Sequence, residues 1–465
     1  MEKTILLQTG RFISIRQVLI GSGLVLLFGL ALGLRVSLYH IETSDYTVFV
    51  SQWYDYIHTH GGLAALKDNF SNYNTPYLTL LALTTYLPMP ELIAIKTLSV
   101  VFDGVLGLFA YLILRLKYGR SLAALVGVLV LLFAPTIFIN SAAWGQCDAI
   151  YTAFCLGSLY FLLKERPGWA CVFFGLALAF KLQAIFCAPV LFVLLLKKQL
   201  PLRYLVLIPL VFMLLLTPAL LAGRNVQSLL SIYVQQASSG GSAGTNIFNQ
   251  NGAGSFRPGS GSSGQPAGNG AGRSGQGYGG GPGATASAGS SLTLNAPSFY
   301  QWLPANAPAD SWKWLGIGLA ALFILALSVL LLRNRQRLTT ALLLKITLLF
   351  ALAMPFLLPE MHERYFYLAD VVSILYAFYF PRAFYVALIA QLCSLLSYMP
   401  YLMHTQIVPL SYVAGAVLIL IVIVLIDLLH ALYTRSKPAL PEDEQLTKAP
   451  APALADGPDA LHATG

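Results

Sequence analysis

The sequence predicts an all-α fold: a polytopic transmembrane helical bundle of about 11–13 spans. Three observations predict it. Of the 465 residues, 57% are hydrophobic and only 10% are charged, where a soluble domain carries about 25% charged residues. The mean hydropathy is +0.70. The apolar residues also run continuously for about 20 residues at a time, the length of a membrane-crossing helix, whereas a barrel shows alternating segments of about 10. In lipid only helices and closed barrels satisfy their own backbones, so continuous runs mean helices. This composition excludes a soluble enzyme, a wholly disordered chain and a secreted disulfide scaffold. Cys147, Cys155, Cys171, Cys187 and Cys393 all sit in or beside apolar runs, without metal-ligand spacing, and read as buried thiols. The net charge of +9 is scattered in short clusters between apolar runs. That is the positive-inside pattern of a membrane protein, not a nucleic-acid footprint, and no nucleic-acid partner is expected.

The elements follow from those clusters. Residues 1–16, with Lys3, Arg11 and Arg16, read as a cytoplasmic N-terminus ahead of a retained helix at 17–38, since no small-residue cleavage site follows. Further basic clusters stand at Arg115/Lys117/Arg120, Lys164/Arg166, Lys197/Lys198/Arg203, Arg333/Arg335/Arg337, Arg382 and Arg435/Lys437. If each marks the cytoplasm, paired spans fit between them at 121–139 and 148–163, then 168–180 and 184–196. The series continues with 204–222 and 313–332, then 338–358 and 365–380, and ends with 383–399 and 409–430. Both termini are then cytoplasmic. Residues 39–94 form the first outer loop, closing with 17–38 into an N-terminal transmembrane module over 17–237. Within that loop 76–87 is apolar yet shorter than the about 20 residues of a span. It reads as interfacial, re-entrant, or a short helix that breaks the alternation. In 238–291, 18 of 54 residues are Gly without a third-position period, which excludes collagen and leaves a disordered Gly/Ser-rich outer loop. A C-terminal transmembrane module covers 292–435, and 436–465 reads as a disordered cytoplasmic tail.

Polar groups that interrupt the apolar runs fall mostly on the outer side by this count. They are Ser44-Asp45-Tyr46, the turn from Asn140 through Trp144 and Gln146 to Asp148, Lys181 with Gln183, the stretch from Asn295 to Trp302, and Glu360 through His362, Glu363 and Arg364 to Tyr365. Ionisable groups at membrane depth are costly and by default mark function. Each also has a plainer reading. Asp45 suits an ordinary loop, Asp148 a helix N-cap, Lys181 a snorkelling side chain, and His362-Glu363-Arg364 an exposed turn. Asp103 and Asp370, in or near spans, invite a cation partner that would stabilise the bundle. Asp427, near the cytoplasmic end of the last span, reads as structural. No Walker loop, GxSxG elbow or HExxH zinc motif is present. An outer site also lacks access to cytosolic nucleotide sugars, so any activated sugar must arrive in the lipid.

Ser44-Asp45-Tyr46, Trp144-Gly145-Gln146-Cys147-Asp148-Ala149-Ile150-Tyr151, Lys181-x-Gln183 and Pro359 through Tyr365 together resemble one family. It is that of the bacterial membrane glycosyltransferases related to the second mannosyltransferase of GPI-anchor synthesis, in the GT-C superfamily. The likeness runs in order from about 40 to 400; the segment 238–291 departs from it as an insertion. It implies a GT-C-like bundle that moves a sugar from a polyprenyl-phosphate donor to a glycan, glycolipid or protein acceptor. The site would face outward from a bacterial plasma membrane, in cell-envelope synthesis. It implies Asp45 as the base, because an acidic residue in the first outer loop serves so in this family. A single base with direct attack gives inversion. Lys181, Arg364 and His362 are the groups available for the donor phosphate. Trp144, Gln146, Asp148, Gln183, Glu363 and Tyr46 are those available for sugar or acceptor. The scheme needs no cofactor and no metal. The competing reading is a multi-span transporter or lipid-linked sugar translocase, and a further one is a scaffold presenting the glycine loop.

Overall fold

A computed structural model describes residues 4–6, 12–239, 292–304 and 306–434. Nearly all of the glycine-rich segment 238–291, the tail 436–465 and part of 1–16 therefore lie outside the described residues. A two-stranded antiparallel pair, β1 (Thr4–Leu6) and β2 (Phe12–Ser14), leads into α1 (Ile15–Ser37). There follow α2 (Ser51–Thr59), α3 (Thr75–Thr84), α4 (Glu91–Tyr118), α5 (Leu122–Leu132), α6 (Pro135–Phe138), α7 (Asp148–Leu163) and α8 (Pro167–Phe180). Next come α9 (Ala188–Leu196), α10 (Leu207–Leu221) and α11 (Val226–Ser239). After the glycine-rich segment, β3 (Thr293–Leu294) precedes α12 (Ala309–Arg333) and α13 (Thr340–Leu357), and β4 (Met361–His362) precedes α14 (Tyr367–Tyr379), α15 (Phe384–Leu402) and α16 (Leu410–Tyr433). The fold is the all-α polytopic bundle that the composition predicts.

Among the described residues seven helices are long and apolar enough to cross a membrane: α1, α4, α10 with the turn before it, α12, α13, α15 with the turn before it, and α16. An eighth forms if α5 and Pro135–Trp144, bent by 54° at a break, count as one span. Four more apolar helices, Thr75–Thr84, Asp148–Leu163, Pro167–Phe180 and Leu182–Leu196, are shorter. The expected 11–13 spans are reached only when these count as well, because sequence hydropathy does not see where a polar turn shortens a helix. The segment 76–87 is one of them, a ten-residue helix packed into the core.

The centre of the bundle is α13, with 83% of its apolar window buried, against 6% for α1. α7 packs between α4 and α8, and α13 against α14 and α16. A buried ion pair and a half-buried one lock these layers. Arg35 Nε of α1 donates to Asp103 Oδ2 of α4 at 2.7 Å, and Ser141 Oγ donates to the same oxygen at 2.6 Å. Lys345 of α13 pairs with Asp427 of α16 at 2.6 Å. So Asp103 has the cation that the sequence suggests. Asp370 does not: its Oδ1 accepts from Ser394 at 2.7 Å and its Oδ2 is buried without a partner.

The basic clusters come together in pairs. Lys117 donates to the Phe378 and Tyr379 carbonyls beside Arg382. Lys197 donates to the carbonyls of Leu331 and Asn334, and Asn334 in turn donates to Leu432. At the opposite ends, α10, α13 and α15 each carry a proline in the last turn: Pro218, Pro355 and Pro400. Proline removes a backbone donor and stops the helix, letting the chain leave for the polar turns beyond.

Candidate active site

The polar turns meet at that end. Asp45 stands just before a π-helical segment, Tyr46–Val50, that runs into α2. Its backbone N–H donates to the Tyr401 hydroxyl at 2.9 Å, and Ser44 Oγ donates to the same hydroxyl at 2.9 Å, so the end of α15 fixes this turn. A second π-helical segment, Ile139–Trp144, extends α6. Gly145 then takes φ +77, a left-handed conformation that side-chain-bearing residues rarely adopt. That reversal lets the Gln146 N–H return to the Asn140 carbonyl at 2.9 Å. Trp144 and Gln146 thereby aim at one atom. Trp144 Nε1 donates to Asp45 Oδ2 at 3.0 Å and Gln146 Nε2 donates to it at 2.6 Å. π-Helical turns recur at functional sites because they re-aim side chains that an α-helix would point elsewhere.

The second half of the cluster is built on α7 and α8. Asp148 is the first residue of α7, one past the N-cap position, which Cys147 holds. Lys181 Nζ donates to its Oδ1 at 2.5 Å and Asn140 Nδ2 to its Oδ2 at 2.9 Å. Lys181 reaches it because the chain turns extended there, at φ −154 and ψ 134, between α8 and the 3₁₀ turn Leu182–Cys187. Both residues are buried, so neither an N-cap nor a snorkelling lysine describes them.

Arg364, on the 3₁₀ turn Glu363–Phe366, joins the halves. Its Nη1 donates to Glu363 Oε1 at 3.2 Å and lies 3.6 Å from Asp45 Oδ2, while its Nε lies 4.0 Å from Asp148 Oδ2. The guanidinium sits 5.5 Å over the Trp144 ring. Burial, with the charge of Asp45 adding and Arg364 opposing, pushes the Glu363 carboxyl up to about 7. His362 is set in place by β4, which pairs in parallel with β3 (Leu294 opposite His362). Burial, then the charges of Arg364 and Lys181, hold its imidazole neutral, well below its ordinary range. With Glu363 protonated, two carboxylates face two cations.

Asp45, Trp144, Gln146, Asp148, Lys181, Glu363, Arg364 and His362 are thus one cluster. Two expected residues stand apart. Tyr46 turns its phenol to Glu91. Gln183 keeps its side-chain oxygen buried without a partner. Trp144 is buried, stacked on Tyr401 at 4.7 Å and edge-on to Tyr398 at 5.4 Å, with its indole N–H on Asp45. Sequence reasoning missed Tyr401 and Asn140 as parts of the site. The signal for Asn140 was its place in the polar turn; for Tyr401 it was only an aromatic residue after Pro400. Among the described residues no three His, Cys, Asp or Glu side chains are grouped to hold a metal ion.

Residues 70–258 match the family model of glycosyltransferase family 87. The match spans less than half of the chain, and no curated protein matches the chain significantly. The family 87 match takes in Trp144, Gln146, Asp148, Lys181 and Gln183; Asp45 and the turn 362–364 fall outside it. Together with the apolar helices, the family 87 match supports a multi-pass membrane glycosyltransferase, which implies a sugar donor, an acceptor and membrane lipid around the bundle.

Proposed function

We propose that the chain transfers a sugar, mannose being the first candidate, from a polyprenyl-phosphate donor to an acceptor hydroxyl with inversion, using Asp45 as general base. The acceptor is a glycan, glycolipid or protein on the extracytoplasmic side of a bacterial plasma membrane. The observation that carries this reading is the state of the Asp45 carboxylate. Its Oδ2 is fixed by Trp144 and Gln146, the Tyr401 hydroxyl stands beside it, and the side chain is still 19% exposed. A base must be held in direction yet open to the proton it takes. The other two carboxyl groups differ. Both oxygens of Asp148 are engaged, and Glu363 is an acid until about neutral pH. One open carboxylate suits direct displacement; a retaining reaction needs a second as nucleophile.

As the hydroxyl attacks the anomeric carbon, its proton passes to Asp45 Oδ1 and the bond to the lipid phosphate breaks. Arg364 is the cation best placed for the departing phosphate, since its Nη1 lies 3.6 Å from the Asp45 carboxylate and its Nε makes no hydrogen bond among the described residues. A planar guanidinium can offer paired N–H groups to phosphate, and donors set in place beforehand stabilise charge as it develops. Lys181 contributes its charge through the pair with Asp148, and His362 contributes as a neutral donor. Gln146, Glu363 and Asp148 line the approach for sugar hydroxyls, with Tyr46 and Gln183 further out. The test uses protein in lipid discs with radiolabelled polyprenyl-phosphate sugars and an acceptor extract. Asp45→Asn is expected to lower transfer by about 10²–10⁴-fold with expression unchanged. Activity within a few-fold of wild type overturns the assignment, and solute movement without a new glycoside favours a transporter.

A further inference from the structure

Arg224 stands outside this cluster. Helix α10 ends at Leu221, and two residues on, Gly223 at φ +104 allows the Arg224 N–H to close back on the Ala219 carbonyl at 2.9 Å. This closure turns the side chain inward, and only 5% of the residue is exposed. Its Nη2 donates to Asn69 Oδ1 at 2.5 Å and its Nε to Ser228 Oγ at 3.3 Å, while Nη1 is buried with no partner. Other buried cations are matched. Arg35, Lys181 and Lys345 each have a carboxylate at 2.5–2.7 Å, and Lys96 ends on the carbonyls of Leu38 and Ile41. Among the described residues no carboxylate lies within 4.0 Å of Arg224. Asp68, next to Asn69, lends Arg224 its charge only from beyond contact distance and is held by Tyr56 at 3.0 Å. A buried guanidinium without a counter-ion is costly, and an N–H without an acceptor adds to the cost.

The surroundings suggest what supplies the missing charge. Arg224 lies at the end of the bundle that carries the Asp45 cluster, joined to it by the segment 69–74. Asn69 meets Arg224, Tyr73 meets Cys147, and Asn74 donates to the Phe180 carbonyl beside Lys181. Leu214 and Leu221 of α10, and Leu230 and Val234 of α11, are exposed on either side. A cation at the head of apolar strips is the layout that receives a lipid headgroup with its chains alongside.

We propose that Arg224, with Asn69 and Ser228, binds the phosphodiester of a membrane lipid whose chains lie on the exposed strips of α10 and α11. A phosphodiester carries one negative charge, the match for a single guanidinium that no carboxylate contacts among the described residues. Phosphatidylglycerol and a polyprenyl-phosphate sugar share that chemistry, and the site stands whether or not the chain is a transferase.

The informative variant is Asn69→Asp. It keeps the clasp on Arg224 Nη2 and supplies the charge from within, so folding is preserved while the lipid is displaced. Purified wild type, Asn69→Asp and Arg224→Gln are each titrated with phosphatidylglycerol, a polyprenyl-phosphate sugar, and diacylglycerol as the phosphate-free control. Retained lipid is read by native mass spectrometry and folding by thermal melting. The expected result is at least a tenfold loss of one phosphodiester lipid in Asn69→Asp with an unchanged or higher melting temperature. Which lipid is lost identifies its source. Wild-type retention of both in Asn69→Asp overturns the proposal, as does an equal loss of diacylglycerol. If Arg224→Gln fails to fold, Asn69→Asp alone decides.

Discussion

Among single residues Glu363 couples pH to the site most directly. It is neutral below about 7 and charged above, because burial disfavours its anion. As pH rises, the new charge competes for Arg364 and repels an anionic donor. The KM for a polyprenyl-phosphate sugar is therefore expected to rise several-fold through neutrality, and Glu363→Gln to flatten that rise; an unchanged profile in the variant removes Glu363 from the donor site. Stability follows the same sign. The folded value stands above the ordinary 4.5, so the stabilising contribution is complete below 4.5 and lost as pH rises through about 7. Melting curves across that window should fall for wild type and less for Glu363→Gln.

At the scale of elements, the Arg35–Asp103 pair holds a helix that has little else. Ala31 and Arg35 are the two buried residues of α1, while α4 and the π-helical turn lend Asp103 and Ser141. Removing one partner of a buried pair strands the other and costs about 3–5 kcal/mol, whereas replacing both with apolar residues is often neutral. Arg35→Ala is thus expected to lower the melting temperature in detergent sharply. Arg35→Met combined with Asp103→Leu is expected to recover most of it. Equal melting of Arg35→Ala and wild type means that α1 is held by something other than this pair.

For the whole molecule, the clustering of basic turns at one end and Asp45 at the other predicts sidedness. The five native cysteines are all buried, so introduced ones can be labelled against a low background. A cysteine at exposed Thr405 should react with an impermeant maleimide on intact cells, and one at exposed Arg335 only after permeabilisation. The reverse pattern turns the site toward the cytoplasm. Much of this layout was legible, because charge cannot be hidden in lipid: the basic clusters and the polar turns both stand out of the apolar background. What was not legible depends on contacts between distant segments. The Lys181–Asp148 pairing, the capture of Trp144 by Asp45, and Tyr401 are fixed by packing, which also decides among the readings that hydropathy left open for the short apolar stretch at Thr75–Thr84.

The partners of these contacts also leave the ribosome at very different times. Lys181 follows Asp148 by 33 residues and Asp103 follows Arg35 by 68, but Tyr401 follows Asp45 by 356. At about 5–20 residues per second the last interval is about 20–70 s. Charges that lipid would punish can thus find their partners while the chain is still short. The alignment of the candidate base waits until α15 is made, so an unfinished chain can be safely inserted long before it can be active.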